Sequence, residues 1–152
     1  MCRKTMLICS LMLLIFVGSK TSTMAQSPKP ETASVVDISS LIGDWSGESI
    51  CVNKEKFPAC KDEVVVYHLA RTEGKTNGIT VSADKIVDKK PQPMGDIDFV
   101  YDPEKHTLVS ELKTDRFQIR IDLLVTGDIL EGTLTSLQDK TTVRHIKVKK
   151  NE

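Results

Sequence analysis

Histidine, aromatic side chains and an excess of either charge are all scarce in this chain of 152 residues, which has 3 His, 1 Trp, 2 Tyr, 4 Phe and equal numbers, 21 each, of basic and acidic groups. Without a basic excess there is no electrostatic footprint for nucleic acid, and no nucleic-acid partner is expected. No apolar run reaches the ~20 residues that a spanning helix needs, so stable membrane insertion is not expected either. Nucleophilic catalysis pairs a Ser or Cys with a His base held by a third group. Of the three histidines, His106 falls in a turn, His145 points outward on the last strand, and His68 shares a strand face with Val64 and Val66 as a wall residue. No catalytic residue is assigned, and the chain is read as non-enzymatic. Asp96, Asp98 and Asp102 fall at even spacings along a strand, without the sixth-place glycine of a calcium loop, and read as a solvated face. No metal site and no cofactor is expected. Glycine-rich phosphate loops and Asn-x-Ser/Thr acceptors are missing as well.

What is present begins at the amino end. Arg3 and Lys4 precede an apolar run from Met6 to Val17, and small residues, Thr23 and Ala25, stand at the -3 and -1 positions of a cut after Ala25. This is the pattern of a cleavable secretory signal over residues 1–25, and it predicts a secreted or periplasmic protein. Loss of Arg3, Lys4 and Lys20 from 21 basic groups leaves 18 against 21 acidic ones. Cys2 and Cys9 leave with the signal, so Cys51 and Cys60 remain in an oxidising compartment and are expected to pair. Closing that loop is worth about 2.7 kcal/mol on the chain-entropy account. Residues 26–36 carry two prolines and little apolar content, which predicts a flexible tail. Residues 37–152 are expected to form one domain.

Within that domain the apolar residues alternate with period two, as strands burying one face require. Phe117, Ile119, Ile121, Leu123 and Val125 interleave with Gln118, Arg120 and Asp122, and Ile97, Phe99 and Tyr101 alternate in the same way. Further strands are predicted over 45–52, 63–69, 78–84, 107–113, 129–137 and 141–149, with turn chemistry at Glu73–Gly78, Lys90–Pro93, Asp102–His106, Thr126–Asp128 and Gln138–Lys140. Short connections require antiparallel neighbours. Eight such strands close most economically into an all-β, up-and-down barrel, since closure removes both exposed edges. Asp37 to Ile42 predicts one helical turn ahead of the first strand.

The segment Leu41-Ile42-Gly43-Asp44-Trp45-Ser46-Gly47 resembles the opening of lipocalins and their calycin relatives, in which a helical turn leads into Gly-x-Trp on the first strand. The resemblance implies that Trp45 closes the barrel floor and stacks on an arginine from near the end of the barrel. Arg144, which shares a face with Ile146 and Val148, is the residue expected to fill that role. The wider pattern of Cys51, Phe57-Pro58-Ala59-Cys60, Ala83-Asp84-Lys85-Ile86-Val87 and Pro93-Met94-Gly95 looks like small secreted bacterial proteins without an assigned activity. The chain lacks the Thr-Asp-Tyr motif and the long carboxy-terminal helix of lipocalins.

The calycin resemblance implies a binding protein holding a small apolar or amphipathic ligand. The interior expected to line it comprises Val81, Ile97, Phe99, Tyr101, Leu108, Leu112, Phe117, Ile119, Ile121, Leu130 and Leu134. The alternative is that these residues simply fill the barrel, and a void above ~300 Å³ separates the two readings in favour of a ligand. A different class of function is also open. The layout resembles small periplasmic inhibitors of bacterial metalloproteases, which implies a protein partner engaged by the tail 26–36. Export itself is checkable: the intact mass of protein recovered outside the cytoplasm is expected to match a chain starting at Gln26 with two fewer hydrogens for the disulfide.

Overall fold

The computed structural model describes residues 37–152; the signal peptide expected over 1–25 and the tail expected over 26–36 lie outside the described residues. A single turn of 3-10 helix, Ser39–Leu41, is followed by eight strands: β1 Gly43–Cys51, β2 Glu63–Arg71, β3 Gly78–Val87, β4 Lys90–Asp102, β5 Thr107–Lys113, β6 Gln118–Thr126, β7 Ile129–Ser136 and β8 Thr141–Lys150. Each pairs antiparallel with the next, and β1 also pairs with β8, so the meander closes into a barrel. The Cys51–Cys60 disulfide is formed, with Cα atoms 6.0 Å apart. Fold class, strand order, the leading turn and the disulfide therefore agree with the expectations above.

The two ends of the barrel differ. At one end lie the 3-10 turn, the β2–β3, β4–β5 and β6–β7 connections and the carboxy terminus. Ile38, Leu41 and Trp45 are buried there, and the Trp45 indole Nε1 donates to the Leu41 carbonyl at 3.0 Å. Asp37 accepts from the Ser39 amide at 2.9 Å, which starts the turn that lays Leu41 over the tryptophan. The other end carries the Cys51–Cys60 loop and the β3–β4, β5–β6 and β7–β8 hairpins.

Two departures from the expected strand boundaries bear on the barrel wall. Lys90–Pro93, read as a turn, belongs to β4; the turn is Asp88–Lys89, both residues at positive φ (51° and 64°), as a two-residue hairpin with the right twist demands. Pro91 and Pro93 are tolerated because β4 carries no partner there on its β5 side. β4 and β5 pair only through Val100↔Val109, Tyr101↔Leu108 and Asp102↔Thr107, whereas β5 and β6 pair along all of β5. Against β3 the register slips between Ala83↔Gly95 and Asp84↔Pro93, which leaves Met94 as the extra residue of a bulge on β4, and Gly95 takes a φ of 117°. The barrel wall is thus parted along a β4–β5 seam toward the hairpin end. Phe117 lies before β6 in a loop held by Thr114, and is 46 % exposed. The alternation of β6 does extend inward from Ile121 and Leu123, but it stops short of Phe117.

Tight curvature brings strands closer than side chains allow at two glycines. A Cβ on Gly132 would lie 1.8 Å from the Asp122 carbonyl oxygen, and one on Gly47 would lie 2.1 Å from that of Lys147. Because backbone, not a flexible side chain, occupies that space, Gly132→Ala is expected to cost about 1–3 kcal/mol, read as a lowered urea midpoint at unchanged slope.

Candidate functional site

Inside the barrel, above the Trp45 floor, is a cavity of about 180 Å³. Its walls are inward residues of all eight strands, among them Val65, Leu69, Val81, Ala83, Phe99, Leu108, Ile121, Leu123 and Leu130. Met94, Gly95 and Ile97 line it beside the β4–β5 seam. The volume falls below the ~300 Å³ set as the mark of a pocket for a drug-sized ligand. It is nevertheless too large for a packed interior, and comparable with the ~150 Å³ apolar void that admits benzene.

Polar groups reach the cavity on one side only. Ser49 and Glu63 are directly paired across β1 and β2, and Arg144 stands opposite Cys51 on the other flank of β1. The Arg144 Nη1 lies 2.9 Å from Glu63 Oε2 and donates to the Ser49 carbonyl (3.1 Å) and hydroxyl (2.9 Å), while Nη2 donates to the Lys61 carbonyl. These side chains are only 13 % (Arg144) and 25 % (Glu63) exposed. Such burial of an ion pair is tolerable because both charges are matched and hydrogen-bonded. Burial pushes the neighbouring Tyr67 phenol up to about 12, with Arg144 opposing and Glu63 reinforcing the shift. Tyr67 is therefore a neutral hydroxyl at any physiological pH.

The Cys51–Cys60 loop braces this polar side. Asp62 accepts from the Cys51 amide at 2.9 Å and from Lys54 at 2.8 Å, and Lys56 reaches Asp139 of the β7–β8 hairpin at 3.0 Å. With the Arg144 bond to Lys61, the loop is fastened at both of its ends.

No protein-family model matches the chain, and no curated protein sequence matches it. Among solved structures, the one described as "The Siderocalin Ex-FABP functions through dual ligand specificities" is similar over 74 % of this chain and 74 % of that one, at 16 % sequence identity and a TM-score of 0.41. Those ligand specificities belong to that protein; the chemistry of this site rests on its own residues.

The expected stack of Trp45 on Arg144 is not formed. In the β1–β8 register Trp45 pairs with Lys150, and Arg144 pairs with Cys51, six residues further along β1, or roughly 20 Å at ~3.4 Å per residue. The cation over the indole is Lys150, its Nζ 5.9 Å from the ring centroid and donating to the Ser40 carbonyl at 2.7 Å. Arg144 does face inward, but its partner is Glu63. Of the residues expected to line the interior, Val81, Ile97, Phe99, Leu108, Ile121, Leu130 and Leu134 border the cavity. Tyr101 is buried away from it, its hydroxyl 3.3 Å from His106 Nδ1. Leu112 and Ile119 pair with each other near the hairpin end, half-buried and off the cavity wall, and Phe117 is in the loop described above.

Ser49, Glu63 and Tyr67 were missed as site residues, yet a signal for Glu63 existed. It alternates with Val65, Tyr67 and Leu69, which places an acid on the buried face of β2 just as Arg144 is a base on the buried face of β8. Two opposite charges on inward faces suggest a pair before any coordinates do.

Among the described residues, no group of three or more His, Cys, Asp or Glu is arranged to hold a metal, and no helix is long and apolar enough to cross a membrane. His68 is not an inward wall residue. It stands on the outer face between Asp44 (Nδ1 to Oδ1, 2.7 Å) and Asp84 (Nε2 to Oδ2, 3.4 Å), because Val65, Tyr67 and Leu69 are the inward set. The hydrogen bond that His68 donates to Asp44 raises its pKa above the ordinary 6.5; burial opposes this, and the bond to Asp84 adds to it. A raised folded value means the imidazolium contributes fully below the unfolded value and loses that contribution as pH climbs through the folded one. At 44 % side-chain exposure the gain is expected to be a few tenths of a kcal/mol. Imidazole NMR titration is expected to give a His68 midpoint above 6.5 that falls in Asp44→Asn.

Proposed function

We propose that this chain is an exported, non-enzymatic binding protein that holds one small, largely apolar molecule inside its barrel. The observation that carries the reading is the 180 Å³ void bounded by Val65, Leu69, Phe99, Leu108, Leu123 and Leu130, with polar groups gathered on one side. A barrel of eight strands can be filled by its own side chains, and leaving such a space empty forfeits packing energy of about 4 kcal/mol at ~24 cal/mol per Å³. A ligand recovers that loss. The size favours a compact molecule of fewer than about ten heavy atoms, with the β4–β5 seam beside Met94 and Ile97 as its way in. The predicted signal sequence and the Cys51–Cys60 bridge support a setting outside the cytoplasm.

Benzene is a suitable probe, since it carries no polar group. At about 0.7 kcal/mol per heavy atom it is expected to bind with a Kd on the order of 1 mM. Titration followed by 1H–13C methyl NMR is expected to shift Val81, Leu108 and Leu130 and to leave Leu124, on the outer face, unmoved. Ala83→Leu, which fills the cavity from β3, is expected to abolish those shifts while the protein stays folded. Saturating benzene that moves no interior methyl would rule the reading out.

A further inference from the structure

The polar side of the cavity is charge-compensated before any ligand arrives. Arg144 Nη1 carries two hydrogens and already faces three acceptors, the Ser49 carbonyl at 3.1 Å, the Ser49 hydroxyl at 2.9 Å and Glu63 Oε2 at 2.9 Å; Nη2 is engaged by the Lys61 carbonyl. We propose that the cavity selects amphiphiles with a neutral hydroxyl or amide head over carboxylates of the same tail, and that Glu63 is the residue that sets this preference. The proposal rests on the reading of the barrel as a ligand-binding protein.

The reasoning is electrostatic. A carboxylate head entering beside Arg144 meets the Glu63 anion at the same guanidinium, and displacing Glu63 leaves that acid in a half-buried position without its counter-charge. Removing one partner from a buried pair is far more costly than never having formed it. A hydroxyl or amide incurs neither penalty. It can donate to Glu63, whose carboxylate offers roughly four acceptor sites, and accept from the Tyr67 hydroxyl, which stays protonated because burial pushes its pKa up to about 12. Ser49 and Lys61 hold the guanidinium by backbone as well as side-chain oxygens, so Arg144 cannot swing out to meet an anion without breaking several bonds. The charge of Arg144 is thereby used to orient Glu63, and the surface shown to a ligand is that of a hydrogen-bonding, net-neutral group.

The test compares 1-hexanol and hexanoate at neutral pH by NMR titration of the mature protein, with benzene as a head-free control. Wild-type protein is expected to bind 1-hexanol at least tenfold more tightly than hexanoate. Glu63→Gln keeps the shape but removes the anion, and is expected to raise hexanoate affinity at least tenfold relative to the affinity of the same variant for benzene. Wild-type protein that binds hexanoate as tightly as 1-hexanol while still binding benzene would overturn the head-group preference and leave the cavity reading standing. A preference that Glu63→Gln leaves unchanged, in a variant that still binds benzene, would overturn the role given to Glu63. Failure of all three probes on the wild type would overturn both, and the wild-type comparison decides the selectivity even if the variant does not fold.

Discussion

A sheet of eight strands has two raw edges until its first and last strands meet, and here β1 and β8 meet along seven residue pairs from Trp45↔Lys150 to Cys51↔Arg144. That pairing satisfies the backbone donors and acceptors that an open sheet would present to other chains. It also sets the geometry of the interior. Because β1 is held by β2 on one side and β8 on the other, Ser49, Glu63 and Arg144, which are distant in sequence, come to one level of the barrel. The same register brings Lys150 over Trp45, so the floor gains a cation held by the Ser40 carbonyl.

The interior is built in two layers of different chemistry. Toward the floor, Ile38, Leu41, Trp45, Ile79 and Val148 leave almost no exposed surface. Toward the hairpin end the packing loosens into the cavity, and the ion pair of Arg144 with Glu63 stands where apolar side chains would otherwise close it. An ion pair at such a place seldom improves stability over well-packed hydrophobic residues, and this one stands on the cavity wall. The disulfide loop reinforces this end alone. Its Lys61 carbonyl and its Asp62 carboxylate tie Arg144 and the Cys51 amide, while Lys56 fastens it to the last hairpin.

Period-two alternation made most of the wall legible, because a side chain on a strand has only two faces to choose between. Ile121 with Leu123, Ile97 with Phe99, and Ile146 with Val148 all face the interior as their spacing required. The same rule failed where a strand ended sooner than the alternation, at Phe117, and where prolines disguised a strand as a turn, at Lys90–Pro93. Arg144 is the more instructive residue. Its face could be read from Ile146 and Val148, but its height could not, since the level at which it meets β1 depends on where two strands separated by nearly the whole domain happen to register.

By itself the sequence determined the strand class, the number and order of strands, the faces of most residues and the one available cysteine pair, because each depends on neighbours a few positions away or on composition. Only the tertiary structure decided that Glu63, and not Trp45, receives Arg144, that β4 and β5 part toward the hairpin end, and that the interior keeps a 180 Å³ void. Those depend on register and on the summed volume of side chains from eight strands, and no local pattern carries either quantity.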